Sequence, residues 1–159
     1  MYRIGEGFDV HRLDTGRRLR IGCVDIPSSV GSIAHSDGDV LAHAVVDAIL
    51  GAIGEGDIGR HFPPSDPRWK DADSKVFLAE AARLLAARGG RIVNLDSTVV
   101  LERPKLAPHI AAMRSALAAA LGCDPAAVSV KAKSAEGLGA VGAGEAVEAH
   151  AVVMVEVRV

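Results

Sequence analysis

Apolar positions along the chain follow two periods, and the order in which they switch predicts the elements. Residues 2–13 and 17–26 are short, partly alternating runs separated by Asp14-Thr15-Gly16, which predicts two strands joined by a turn, a hairpin opening the chain. Residues 31–39 are loop chemistry ending in acidic residues suited to capping, and a helix is expected over 39–53. That helix is apolar nearly all round, and its polar residues Asp39, His43 and Asp47 recur at every fourth position along one narrow edge. Residues 55–71 carry Pro63, Pro64 and Pro67 among several Gly and Asp, a long loop of the kind that often serves function. Asp73 or Ser74 can cap a second helix to about Arg88, with Phe77, Ala81, Leu84 and Leu85 inward and Gly89-Gly90 as the stop. A strand over 91–102 leads to Pro104, and a third helix to Leu121 turns Ile110, Met113, Leu117 and Leu121 inward before Gly122. Residues 128–134 read as a strand. In 145–159, Val147, Ala149, Ala151, Val153, Val155, Val157 and Val159 fall on one side, against Glu148, His150, Glu156 and Arg158 on the other: period two, a strand. The order ββααβαββ predicts an α+β fold, a two-layer sandwich of a mostly antiparallel or mixed β-sheet with three helices on one face.

Composition narrows the function classes. A chain of 159 residues, 49% hydrophobic but only 3% aromatic, is expected to make one domain over 1–159 with a core of Ala, Val, Leu, Ile and Gly. Of its rings, Phe8 abuts the strand of Asp9, Phe62 lies in the long loop, and Tyr2, Trp69 and Phe77 are assigned to packing. A net charge of -2 with scattered rings offers neither an electrostatic footprint nor a stacking platform for nucleic acid. Apolar runs are too short and too often interrupted to span a bilayer, and the first residues lack signal-peptide character. Cys23 and Cys123 form neither a zinc pair nor a disulfide framework, so a cytoplasmic protein with reduced thiols is expected.

Three places carry candidate chemistry. Asp9 and His11, at i and i+2 of a strand, project from one face, and His43 on the polar edge of its helix can complete an Asp, His, His set that suits Zn²⁺ with its fourth position open. Asp47, one turn on, could hold the other ring nitrogen of His43. Spacing alone equally allows a strand surface and a hydrogen-bonded core histidine. His35-Ser36-Asp37-Gly38-Asp39 precedes a helix start, where an anion can be received or where Asp37 or Asp39 simply caps. Asp57-Ile58-Gly59 and Phe62 to Asp66 are either substrate-facing or a solvated turn. Lys133-Ser134-Ala135-Glu136 gathers a cation, a hydroxyl and a carboxylate at a strand end, and Lys105 sits beside a helix start; a solvated strand end is the plain alternative. Gly137-Leu138-Gly139-Ala140-Val141-Gly142 fits G-x-G-x-x-G but is followed by a strand rather than a helix, so a tight loop is expected and not a dinucleotide site.

Taken in order, Gly7-Phe8-Asp9-Val10-His11-Arg12, Ala34 to Val40 with His43, Gly56-Asp57-Ile58-Gly59, Ala72-Asp73-Ser74, Pro104-Lys105-Leu106 with Pro108-His109-Ile110, and Val130-Lys131-Ala132 run across essentially the whole chain. In this the chain resembles the 2-C-methyl-D-erythritol 2,4-cyclodiphosphate synthase family of non-mevalonate isoprenoid biosynthesis. The resemblance implies a homotrimer with active sites between subunits, each with Zn²⁺ and, with substrate, Mg²⁺ or Mn²⁺. It implies that Asp9, His11 and His43 hold the zinc and Glu136 the second metal, and that His35 and Ser134 act on the phosphates as the catalytic pair. His35, Ser36, Asp57, Ile58, Gly59, Phe62, Ser65 and Asp66 would hold the methylerythritol part. The cytidine diphosphate part would lie against Leu101, Pro104, Lys105, Leu106 and Ala107 and against Lys133, Ser134, Ala135 and Glu136. The implied reaction is intramolecular: the 2-phosphate of 4-diphosphocytidyl-2-C-methyl-D-erythritol 2-phosphate attacks the nearer diphosphate phosphorus and expels CMP. The chain departs from the common family pattern at Lys133 and Ser134, each in place of Thr, at Pro64 in place of Asp, and at Ala140 and Ala143 in place of Phe and Arg.

Overall fold

A computed structural model of the chain describes residues 1–158. Its strands are β1 (Tyr2–Thr15), β2 (Leu19–Ile21), β3 (Val24–Ile26), β4 (Val30–Ser32), β5 (Arg91–Val100), β6 (Val128–Lys133) and β7 (Ala146–Glu156). The helices are α1 (Val40–Ile53), α2 (Ile58–His61), α3 (Ser74–Ala87), α4 (Ile110–Leu121) and α5 (Gly139–Gly142). One sheet has the order β4-β1-β7-β5-β6, with only β5 and β6 parallel, and α1 and α4 pack on it, α1 against β1 and β7 and α4 against β6. The α+β architecture with a mixed sheet is as expected. The helix count is not: besides the three long helices there are two single-turn ones, α2 inside the long loop and α5 within the glycine-rich segment. Each is four residues, too short to carry an apolar periodicity.

The opening hairpin is a second correction. β1 pairs with β7 from Tyr2↔Glu156 to Arg12↔Ala146 and, at its far end, with β4, so residues 17–26 do not join it. They fold instead as a separate β2-β3 ribbon whose turn, Gly22-Cys23, has φ of 59° and 64°. Its N–H groups donate to the buried carboxylate of Asp39, Gly22 at 2.8 Å and Cys23 at 2.5 Å, which ties the ribbon to the start of α1. Asp39 also accepts from Ala42 N at 3.0 Å and is therefore the cap of α1, as its place in the sequence suggests. The third long helix starts at Ile110 rather than just after Pro104, because a 3₁₀ turn, Ala107–His109, comes first.

The period of β7 is realised as read: Val147, Ala149, Ala151, Val153 and Val155 are buried under the helices while His150 and Val152 stay exposed. Val159, the expected end of that strand, lies outside the described residues. In β1 the inward positions include Gly5 and Gly7, where α1 crosses at backbone contact. A Cβ at Gly7 would lie 2.0 Å from the carbonyl oxygen of Ala44, and one at Gly5 1.8 Å from that of Ala48. With Ala151 opposite Gly7 and Ala149 opposite Asp9, small residues let the helix settle onto this part of the sheet, next to where Asp9 and His11 emerge. On the opposite face Tyr2, Ile4, Phe8, Val10 and Val152 are exposed, so Tyr2 does not pack into the core of the chain. Among the described residues no helix is long and apolar enough to cross a membrane.

Candidate metal centre and nucleotide strip

β1 alternates, so Asp9 and His11 share the inward parity of Gly5 and Gly7 and point toward α1, where His43 adjoins the contact residue Ala44. The three side chains meet. His43 Nδ1 lies 3.0 Å from Asp9 Oδ2 and 3.1 Å from His11 Nε2, and His11 Nε2 lies 3.0 Å from Asp9 Oδ2. A tetrahedral zinc with bonds of about 2.0–2.1 Å sets its ligand atoms roughly 3.3 Å apart, so the triangle is close to the size such an ion needs. One carboxylate oxygen and two ring nitrogens facing one point also form a donor set of the right chemistry, and the residues fit Zn²⁺. Burial works against the charged form of Asp9, but hydrogen bonds and charge from His11 and His43 outweigh it and hold the carboxyl well below the usual carboxylate range. Burial likewise opposes protonation of His43, yet Asp9 outweighs it and raises the pKa above the ordinary imidazole value.

The other ring nitrogen of His43 faces two hydroxyls, Ser36 Oγ and Ser74 Oγ, each at 3.1 Å. Asp47 is not its partner, contrary to the expectation: its Oδ1 accepts from the N–H of Ile58 at 2.7 Å and so anchors the start of α2. Ser74, which the sequence offers only as a possible helix cap, is a partner of the site. Asp73 performs the capping, accepting from Lys75 N at 2.9 Å, which leaves the adjacent hydroxyl free to turn inward.

A cavity of about 290 Å³ opens beside the three ligands, lined also by His35, Ser36, Ile58, Gly59 and Phe62. Phe62, Trp69 and Phe77 pack edge-on and tilted into a cluster, with ring centroids 4.5 Å apart for Phe62 and Phe77, so the scarce rings largely make one wall. Asp57 and Asp66 are occupied locally: Asp57 caps α2 by accepting from Arg60 N, and Asp66 caps a 3₁₀ turn and pairs with Arg68 at 2.6 Å. Ser65 is exposed beside them.

The second group of expected residues assembles elsewhere. Leu101 N donates to Lys133 O at 2.9 Å and Ala135 N to Glu102 Oε2 at 3.1 Å, binding the two segments into one strip. Leu101 and Leu106 are buried anchors, while Arg103, Lys105 and Ala107 are exposed and Pro104 is half-buried. Ser134 Oγ donates to Glu136 Oε1 at 2.7 Å, and Lys105, Ser134 and Glu136 line a cavity of about 770 Å³. Within the chain this cavity is distinct from the one at Asp9, His11 and His43. Glu136 does not join the three ligands, and Ser134 does not meet His35.

The model of the YgbB family matches residues 2–156. This chain belongs to the YgbB family. A curated YgbB relative from Dechloromonas aromatica, 54% identical with 98% of this chain and 97% of its own length covered, is named 2-C-methyl-D-erythritol 2,4-cyclodiphosphate synthase. One from Gloeobacter violaceus, with 97% and 94% covered, is 55% identical and has the same name. A solved structure of 2C-methyl-D-erythritol-2,4-cyclodiphosphate synthase in its CDP-bound form superposes with a TM-score of 0.89 at 45% identity, covering 97% of this chain and all of that one. The bifunctional IspDF from Campylobacter jejuni matches with a TM-score of 0.95 at 39% identity, over 99% of this chain and 43% of that one. The YgbB match thus spans both the ligand-bearing β1 and α1 and the strip after β5 and β6.

Proposed function

We propose that the chain, as one domain, converts 4-diphosphocytidyl-2-C-methyl-D-erythritol 2-phosphate to 2-C-methyl-D-erythritol 2,4-cyclodiphosphate and CMP. The observation that carries this reading is the meeting of Asp9, His11 and His43 at one point in a chain that matches the synthases end to end. Asp9, His11 and His43 would hold Zn²⁺, and Glu136 a Mg²⁺ or Mn²⁺ that arrives with substrate; bound, the two cations offset charge on the phosphoryl oxygens.

The nucleophile is a phosphate oxygen, already anionic, so the chain need not supply a base to activate it. An oxygen of the 2-phosphate forms a bond to the nearer diphosphate phosphorus while the bond from that phosphorus to the bridging oxygen breaks, and CMP leaves with the electron pair. What the chain must do is fold the substrate back on itself. The methylerythritol part fits the cavity walled by Ile58, Gly59 and Phe62, beside His35 and Ser36, with Ser65 and Asp66 at its rim. The CDP part fits the strip, where Lys105 and Lys133 add positive charge and Ser134 a hydroxyl; that a similar structure is a CDP-bound form supports a cytidine diphosphate as the kind of ligand.

Since the two cavities are distinct in one chain, the reading requires subunits to complete each other's sites, and we assign a homotrimer. The exposed apolar face of the sheet, with Ile4, Phe8, Val10 and Val152, supplies a surface suited to association. A cytoplasmic enzyme acting on a small molecule, with no nucleic-acid or membrane partner, completes the reading. Incubating the purified protein with the substrate and Mg²⁺ tests it: CMP and a cyclic diphosphate are expected in equal amounts. An open-chain phosphate product would point to a hydrolase on the same scaffold, and binding without turnover to a nucleotide-binding trimer; either would overturn the synthase reading.

A further inference from the structure

We infer that Asp37 and Ser74 act as a relay that accepts the Nε2–H of His43 and so reserves its other nitrogen, Nδ1, which faces Asp9 and His11, for the metal. The inference rests on the metal reading of that site and concerns how the chain prepares the ligand.

The direction of every hydrogen bond in the relay follows from what each group can donate. Asp37, with a side chain 4% exposed, has only acceptors to offer. Its Oδ1 receives the Ser74 hydroxyl at 2.5 Å and the Asp39 N–H at 3.2 Å; its Oδ2 receives the Ser74 N–H at 2.8 Å, with Arg20 Nε at 3.5 Å. Ser74 is fully buried and has one hydroxyl proton, which is committed to Asp37. Toward His43 it can therefore present only a lone pair, and at 3.1 Å it must be met by a proton on Nε2. That leaves Nδ1, 3.0 Å from Asp9 Oδ2, as the nitrogen that a metal would take in place of the proton shared with Asp9.

Ser36 does not decide the matter, although its Oγ is also 3.1 Å from Nε2. Among the described residues it has no other hydrogen-bond partner that would fix its rotor, so it can donate or accept. The relay also accounts for Asp37 in the sequence. Asp39 caps α1, which leaves Asp37 to reach across to the start of α3 instead. In doing so it links the segment before α1 to the helix that covers it.

A metal ligand whose other ring nitrogen is held in this way loses about 10–100-fold in metal affinity when the partner is removed. The test uses the ¹⁵N-labelled protein, with thermal unfolding of each variant recorded. With Zn²⁺ bound, the wild type should show the Nε2–H of His43 protected from exchange with solvent. Ser74→Ala should lose that protection and bind Zn²⁺, measured by competition with a chromophoric chelator, about 10–100-fold more weakly. Ser74→Thr should restore affinity at least in part, and Ser36→Ala should keep the protected Nε2–H. A freely exchanging Nε2–H in the wild type, or a zinc affinity of Ser74→Ala within twofold of wild type, would overturn the relay. The wild-type spectrum decides even if Ser74→Ala does not fold. Failure of the wild type to bind Zn²⁺ at all would refute the metal reading instead, and the Nε2–H would then be judged at a pH where the ring is protonated on both nitrogens.

Discussion

Asp9, His11 and His43 stand on a strand and a helix that touch backbone to backbone, whereas Lys105, Ser134 and Glu136 stand exposed on connecting segments around an open cavity. The first region is finished within one chain: its donor atoms already face one another at 3.0–3.1 Å. The second is a strip held together by the bonds from Leu101 N to Lys133 O and from Ala135 N to Glu102 Oε2, and it faces Ser28, Ser29 and Val30 across a wide cavity. The contrast separates two tasks of phosphoryl transfer. A metal ligand set tolerates little displacement and belongs on rigid elements, while a nucleotide can be held by a surface that a neighbouring subunit completes.

Four measurements would break or sharpen that division. His43→Ala should abolish zinc binding and turnover together, lowering kcat by more than the roughly 100-fold at which loss of an outer partner tops out; full activity with no bound zinc would sink the ligand assignment. Gly7→Ala pushes a methyl against the Ala44 carbonyl and should cost about 3 kcal/mol, a fall in Tm of roughly 6–12 °C, with weakened zinc binding. Unchanged stability would mean that the strand and helix are not in the contact described. Lys105→Ala should raise KM about tenfold, the loss of one charge-assisted contact, with zinc affinity unchanged. An effect on zinc would erase the distinction between the two regions. The smallest effect is in the pH response. His43 binds its proton more tightly than an ordinary imidazole, chiefly because Asp9 outweighs its burial, so protons compete with zinc from a higher pH downward. Zinc affinity should fall as pH drops through that raised value, and Asp9→Asn, measured on the zinc-free chain by NMR, should bring the His43 pKa down.

Much of this was legible in the chain before its structure. The strict alternation of β7 and the i, i+2 placement of Asp9 and His11 depend only on local geometry and are realised as read. What failed depended on choosing among partners. Alternation in 17–26 identifies strands but not their neighbour, and the buried Asp39 carboxylate decided it by claiming the ribbon's turn. Asp47 sits at the right spacing to serve His43, yet the N–H of Ile58 needed an acceptor and took it. Ser74 was equally invisible as a ligand support: its role depends on a contact with Asp37, 37 positions away, that no local pattern encodes. In the strip, Lys105 and Lys133 to Glu136 stood out by residue type, whereas Leu101, Pro104, Leu106 and Ala107 have no chemistry of their own to mark them and came only through the family resemblance.

The glycine contact between β1 and α1 has a bearing on how such a chain can diverge. Where side chains separate two elements, each substitution in the core shifts the distance between them. Here the spacing is set by main-chain atoms, which every sequence shares, so the distance from Asp9 and His11 to His43 does not depend on the length of an intervening side chain. The tightest demand in this corner falls on Gly5 and Gly7, where a single added carbon would meet the helix backbone.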